Sequence, residues 1–256
     1  MEGETVAGDE NRIAGRIQHA LDLDGFELFY QPIVSLKGDR QESYNLLLCL
    51  REEDGALREA EELLPIAERS GTMAAIDRWV LGTAIAELAV QRAKGQEVNF
   101  FVSIAEVTLL EERLLVWICD HLRNCKARGN WLTLQVLEEH ARTHAAVFAR
   151  FSDALRKVGC RIALNRFGED QYPELVLRNV RVDYAEFPPD LGSGLADDRA
   201  KQRRLLELIK LCRDNGVKSV VTGVEDARSL TLLWAAGIDY VQGSFVQRPG
   251  PGIHRE

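Results

Sequence analysis

The stretch FELFYQPIVSLKGDRQESYNLLLCL, residues 26–50, decides the fold. Residues 26–34 form an apolar run that contains Pro32, Lys37-Gly38-Asp39 supplies a turn, and residues 44–50 form a second run. Two such runs around a short turn predict an antiparallel hairpin, with the proline placed on a strand that can spare an N–H. Downstream the pattern changes. Strand-like runs at 99–104, 132–137, 161–165, 182–187, 218–221 and 240–246 alternate with helical stretches at 59–70, 75–94, 109–128, 138–158, 173–180, 200–215 and 226–236. Asn215-Gly216 and Ala236-Gly237 stop two of these helices just before strands, as a glycine beyond a helix end does. Repeated helix–strand units of this spacing mean parallel strands with helical crossovers. A closed α/β barrel is expected, with an open doubly wound sheet as the alternative.

Upstream, residues 1–10 read as an acidic linker or leading remnant, and an amphipathic helix is expected from Asn11 with Ile13, Ile17, Ala20 and Leu21 on one face. The domain is thus expected over 11–256, as the C-terminal part of a longer protein. A chain of 256 residues that is 46% hydrophobic can bury one sizeable core. The net charge of −8 and the lack of a basic stripe argue against duplex nucleic acid as a partner. No run of about 18 apolar residues and no signal-peptide pattern occurs, so a cytoplasmic domain without membrane insertion is expected. The five cysteines are scattered, with no CxxC pair, and read as reduced thiols.

Five strings in order carry a resemblance: Tyr30-Gln31-Pro32-Ile33-Val34, Leu64-Pro65-Ile66-Ala67-Glu68, Ile76-Asp77-Arg78-Trp79-Val80, Gly223-Val224-Glu225, and Asp239-Tyr240-Val241-Gln242-Gly243 through Pro249. Together, over residues 13–249, they resemble the EAL-type cyclic-di-GMP phosphodiesterase domain, and most resemble its degenerate FimX type. The resemblance implies a modified (β/α)8 TIM-like barrel with an antiparallel first strand, in agreement with the hairpin. It also implies cyclic di-GMP as ligand, a PilZ-type adaptor as protein partner, and a role in type IV pilus assembly and twitching motility; a homodimer is left open.

Carried over one position at a time, most of that family's catalytic residues are absent. The Glu-Ala-Leu string falls on Asn45-Leu46-Leu47, and the phosphate-contacting Arg four residues on is Cys49. A metal-ligand Asn falls on Ser103, a ligand Glu on Gln135, and an Asp-Asp-Phe-Gly turn on Asn165-Arg166-Phe167-Gly168. The Lys that orients water falls on Glu186 and the acid before Gly-Val-Glu on Thr222, while Glu138 is kept. Two-metal hydrolysis needs carboxylates that hold the ions about 4 Å apart. The expectation is therefore a domain that is no enzyme, with no catalytic residue, no metal and no cofactor, acting as a cyclic-di-GMP receptor. The alternatives are a nucleotide-free protein-interaction scaffold and, last, a hydrolase using relocated acids such as Glu138 and Glu186.

The expected nucleotide-binding residues are Gln31, Arg51, Leu64, Pro65, Asp77, Arg166, Glu225, Gln242 and Pro249. Gln31 and Asp77 offer an amide and a carboxylate to a guanine edge, Asp77 accepting from its N–H groups. Leu64, Pro65 and Pro249 supply apolar walls, and Glu225 and Gln242 match family positions at the barrel mouth. Arg51 lies on the strand face of Cys49 and stands in for the lost phosphate Arg. Arg166 brings a permanent charge to a phosphate. Other readings stay open: Gln31 as a hairpin cap, Asp77 as an N-cap or a partner of Arg78, and Arg51 and Arg166 as solvated side chains. His140 and His144 lie four apart without a third ligand, Cys49 reads as buried, and Trp79 and Trp234 read as core.

Overall fold

The hairpin predicted for residues 26–50 is present and closes a barrel. The computed structural model describes residues 2–23, 25–51, 55–59 and 63–253, with side chains from residue 12 except that of Glu59. Helix α1 (Glu2–Asp22) leads into β1 (Phe26–Ser35) and β2 (Glu42–Arg51), and β3 (Leu57–Glu59) pairs with the end of β2. Then follow α2 (Leu64–Ser70), α3 (Met73–Ala93), β4 (Val98–Ser103), α4 (Glu106–Leu109), α5 (Leu114–Asn124), β5 (Leu132–Leu137), α6 (Glu138–Thr143) and α7 (Ala145–Lys157). The chain continues through β6 (Arg161–Asn165), α8 (Glu174–Asn179), β7 (Tyr184–Phe187), α9 (Pro189–Gly192), α10 (Arg199–Asp214), β8 (Lys218–Val221), α11 (Ala227–Ala236) and β9 (Tyr240–Val241).

The strands run in the order β1-β9-β8-β7-β6-β5-β4-β2, and β1 pairs back onto β2, so eight strands close on themselves. Strand β1 is antiparallel to both neighbours, and the remaining pairings of the ring are parallel. This is the α/β barrel with an antiparallel first strand that the resemblance implied, and the open-sheet alternative is excluded. Side chains alternate across each strand. One set fills the barrel with Ile33, Phe101, Ala163, Tyr184, Val220 and Tyr240, where Phe101 and Tyr240 each pack edge-on to Tyr184 at 4.9 and 5.8 Å between ring centres. Such pairs add roughly 0.5–1.5 kcal/mol each beyond area burial. The other set meets the helices, whose apolar faces follow the helical period: α3 buries Ile76, Val80, Ala84 and Leu88, and α10 buries Leu205, Leu208, Ile209 and Cys212.

At the amino-terminal end of the barrel, Asp39 accepts hydrogen bonds from Tyr240 Oη and from Lys218 Nζ, and Asp239 pairs with Lys37 and accepts from the Ser219 N–H at 2.8 Å. The bonds from Tyr240 and Lys218 hold the Asp39 carboxyl below its ordinary range. These contacts tie the β1–β2 turn to β8 and β9, the last strands to join.

Several boundaries differ from the sequence reading. Helix α1 reaches back to Glu2, ahead of Asn11, so the backbone of the acidic stretch read as a linker is helical. The stretch 59–70 splits into β3 and α2, with residues 60–62 outside the described residues. The single helices expected at 109–128 and 138–158 each break in two, near Glu111 and at His144. Neither break has a glycine or proline. Instead Arg78 pairs with Glu111, and His144 Nε2 meets Glu106 Oε1 at 2.5 Å, so contacts between elements set the breaks. Strand β9 ends at Val241 rather than 246, because Gly243 packs directly on the Val224 carbonyl, which a Cβ would approach to 2.1 Å. Trp234, read as core, is 69% exposed, since α11 turns Leu233 and Ser229 inward and Trp234 out.

Helix α5 ends in a Schellman motif in which Ala127 N–H donates to Leu122 O and Lys126 N–H to Arg123 O. Lys126 holds the left-handed position at φ 55°, a position where glycine carries no side-chain penalty. Lys126→Gly is expected to stabilise the fold by about 0.5–1 kcal/mol in urea unfolding.

Candidate nucleotide site at the carboxyl end of the barrel

Two residues along from the barrel-filling layer, each strand presents one polar side chain to the interior. The steps are Ile33 to Gln31 on the antiparallel β1, Ser43 to Asn45 on β2, Phe101 to Ser103 on β4 and Thr133 to Gln135 on β5. The ring continues with Ala163 to Asn165 on β6, Tyr184 to Glu186 on β7, Val220 to Thr222 after β8 and Tyr240 to Gln242 after β9. A period of two keeps these eight groups on the interior face, at the carboxyl end of the parallel strands.

Much of the ring is internally hydrogen-bonded. Ser103 Oγ donates to Gln135 Oε1 at 3.0 Å, and Gln135 Nε2 donates to Glu186 Oε2 at 2.6 Å. Gln242 Nε2 donates to Gln31 Oε1 at 2.7 Å, Gln31 Nε2 donates to the Gln247 carbonyl at 3.2 Å, and Thr222 Oγ1 donates to the Phe187 carbonyl. Two acceptors, Asn45 Oδ1 and Gln242 Oε1, are buried and have no partner among the described residues. Glu186 is the ring's one carboxylate. Its burial pushes the carboxyl up to about 7, against the partial relief of the Gln135 hydrogen bond.

The predicted site residues divide into groups. Gln31 and Gln242 meet directly. Arg51 stands beyond Cys49 on the interior face, but its guanidinium is joined to Glu27 at 2.6 Å. Glu225 accepts from Ser193 Oγ at 2.9 Å on the rim, and exposed Pro249 precedes Gly250, whose backbone pairs with Tyr30. Leu64 and Pro65 begin α2, Leu64 packed against the core and Pro65 exposed. Asp77 is 5% exposed and accepts the Ala105 N–H at 2.7 Å, so α3 uses it to hold the chain between β4 and α4; burial pushes its carboxyl up to about 6. Arg166 donates three hydrogen bonds to Glu169, two from Nε at 2.9 Å and one from Nη2 at 2.5 Å. Asn45, Ser103, Gln135 and Glu186 entered the sequence reading as lost catalytic positions. Counting two residues from the buried positions Phe101, Thr133 and Tyr184 would have found Ser103, Gln135 and Glu186, while Asn45 follows Ser43 and carries no such signal.

The resemblance implies a pair of divalent ions at this end of the barrel. The donors here are amides, hydroxyls and one carboxylate already bonded to Gln135, and among the described residues no group of three or more His, Cys, Asp or Glu is placed to hold a metal. A two-metal centre does not fit this donor set. His144 is taken up by Glu106 rather than by a site with His140. Near the ring, Glu138 Oε2 accepts the Gly168 N–H at 2.8 Å and is raised by burial.

Two consequences can be measured. A carboxyl raised in the fold binds protons that the unfolded chain has released, so Glu186 contributes full stability below about 4.5 and loses it as pH rises through about 7. Relative to Glu186→Gln, the wild type is expected to lose on the order of 3 kcal/mol between pH 5 and pH 8 in urea unfolding. Asp77→Ala leaves the Ala105 N–H without its acceptor and is expected to destabilise by about 1–3 kcal/mol by the same method.

Residues 14–249 match the family model described as EAL domain. The chain is 25% identical over 245 residues to the cyclic di-GMP phosphodiesterase PdeF of Escherichia coli, covering 96% of this chain and 32% of PdeF. It thus spans about a third of the length of the curated relatives it matches. Among solved structures it superposes on a FimX EAL domain with a TM-score of 0.90 at 30% identity, covering 95% of this chain and 98% of that one. The Pseudomonas aeruginosa FimX EAL domain bound to c-di-GMP gives a TM-score of 0.88 at 28% identity, covering 94% and 97%. The expectation of a domain that is no enzyme is corrected by these relatives, since PdeF and several others are named as cyclic di-GMP phosphodiesterases. By the family match over nearly its whole length, the chain belongs to the EAL domain family.

Proposed function

We propose that this domain binds cyclic di-GMP at the carboxyl end of its barrel. The observation that carries this reading is the pair of buried, unpartnered carbonyl acceptors on Asn45 and Gln242, beside Gln31. A buried acceptor without a donor costs about 1–3 kcal/mol, and a ligand that supplies N–H groups recovers it. Guanine presents N1–H and N2–H donors on one edge, which matches two carbonyls. The c-di-GMP-bound FimX EAL domain supports the same ligand here. Gln31, Gln242 and Asn45 take the base, Leu64, Pro65 and Pro249 form its walls, and Glu225 stands on the rim. Arg51 and Arg166 are the cations available to phosphate, each after release from its carboxylate partner. Asp77 acts by placing the loop after β4.

The resemblance to the FimX type extends the proposal to a cytoplasmic signalling domain that works with a PilZ-type adaptor in type IV pilus regulation and twitching motility, with a homodimer as the assembly to test. No helix of the described residues is long and apolar enough to cross a membrane.

Calorimetric titration of cyclic di-GMP, in EDTA and then in magnesium with the products separated by chromatography, tests ligand and turnover together. Binding near micromolar, about −8 kcal/mol, is expected, and Gln242→Ala is expected to weaken it about tenfold. Linear dinucleotide formed in magnesium measures the hydrolysis named in the relatives. Absence of heat at millimolar ligand would remove the reading.

A further inference from the structure

Arg166 follows the ring residue Asn165 and lines a cavity of about 520 Å³ with Leu137, Glu138, Glu139, Arg142, Glu169 and Asp170. Its backbone is left-handed at φ 56°, which among the described residues only Lys126 shares outside glycine. Such a position in a side chain other than Gly, Asn or Asp is strained and is often found at a ligand site. The strain orients a side chain whose Nε and Nη2 donors are taken by Glu169, on both carboxylate oxygens. The second guanidinium of the cavity, Arg142, is likewise joined to Asp170 at 2.8 Å.

The backbone between Arg166 and Glu169 is fixed from the other side. Glu138 holds the Gly168 N–H at 2.8 Å, and the Gly168 carbonyl accepts from Arg204 Nη2 at 2.9 Å. The Arg166–Glu169 pair therefore opens by side-chain rotation. Both side chains are about half exposed, at 54% and 42%, and an exposed ion pair three residues apart is a weak one. The guanidinium fork matches a phosphate in the same two-pronged way that it matches a carboxylate.

We propose that Glu169 is a built-in competitor that occupies the Arg166 guanidinium until a phosphodiester of the ligand displaces it. This rests on the reading of the barrel mouth as a cyclic-di-GMP site. Glu169 thereby sets the affinity of the site and excludes weakly bound anions, since a ligand that takes the Nε–Nη2 edge exchanges one bidentate partner for another.

Titration of cyclic di-GMP into the chain and four variants tests this. Glu169→Gln is expected to bind about three- to fivefold tighter, and Arg166→Gln weaker than wild type. In the Arg166→Gln background, Glu169→Gln is expected to change nothing, because its effect passes through the guanidinium. Glu139→Gln removes the same charge from the same cavity without touching Arg166 and is expected to leave affinity within twofold of wild type. Wild-type binding with no tightening in Glu169→Gln overturns the competitor alone. Equal tightening in Glu139→Gln, or tightening that persists without Arg166, assigns the effect to general charge and also overturns it. No heat from any of the five proteins overturns the nucleotide reading together with the competitor.

Discussion

Closure of the barrel by an antiparallel β1 is the constraint on which the rest depends. β1 reaches β2 through a six-residue connection and pairs with β9 on its other edge, so the first strand bridges the second and the last. Once the ring closes, the pleat assigns every second residue of eight strands to the interior. The apolar cluster with Phe101, Tyr184 and Tyr240 fills the barrel, the polar groups from Gln31 to Gln242 lie toward its carboxyl end, and the lysine and aspartate contacts around Asp39 and Asp239 seal the amino-terminal end.

The chemistry of the mouth follows from what the ring contains. Seven of its eight groups are neutral, and they satisfy one another through Ser103–Gln135–Glu186 and Gln242–Gln31, leaving Asn45 and Gln242 with an acceptor each. One carboxylate in a low-dielectric layer is raised rather than lowered, since burial penalises its charged form more than the Gln135 hydrogen bond relieves it. The curated relatives are named for hydrolysis, whereas this ring offers hydrogen-bond donors and acceptors in place of a set of convergent acids. Cations stand outside the ring, and the two proposed to meet phosphate, Arg51 and Arg166, are each held by a glutamate.

Much of this was legible in the sequence. The hairpin, the parallel strands and the glycine stops after α10 and α11 appear close to where turn chemistry and periodicity put them, because each is decided by residues within one or two turns of chain. Gln31 and Gln242 were named as neighbours of one site and they touch. Asp77, Arg51 and Arg166 were named as residues open to ligand, and each has an intrachain partner, Ala105, Glu27 and Glu169. Partners 28 and 24 positions away leave no local signal. Even Glu169, only three positions from Arg166, pairs with it across a turn that holds Arg166 at positive φ. The splits of the helices expected at 109–128 and 138–158 arise the same way, from Arg78–Glu111 and Glu106–His144.

The sequence by itself determined the alternating α/β class, the antiparallel start and the identity of the groups at each strand end, since these depend on local periodicity, turn residues and residue type. Only the tertiary structure decided that the sheet closes into a barrel, which of those groups touch, which acceptors stay buried without a donor, and which cations are neutralised. Those properties depend on register across eight strands and on contacts between residues far apart in the chain, which no local stretch encodes.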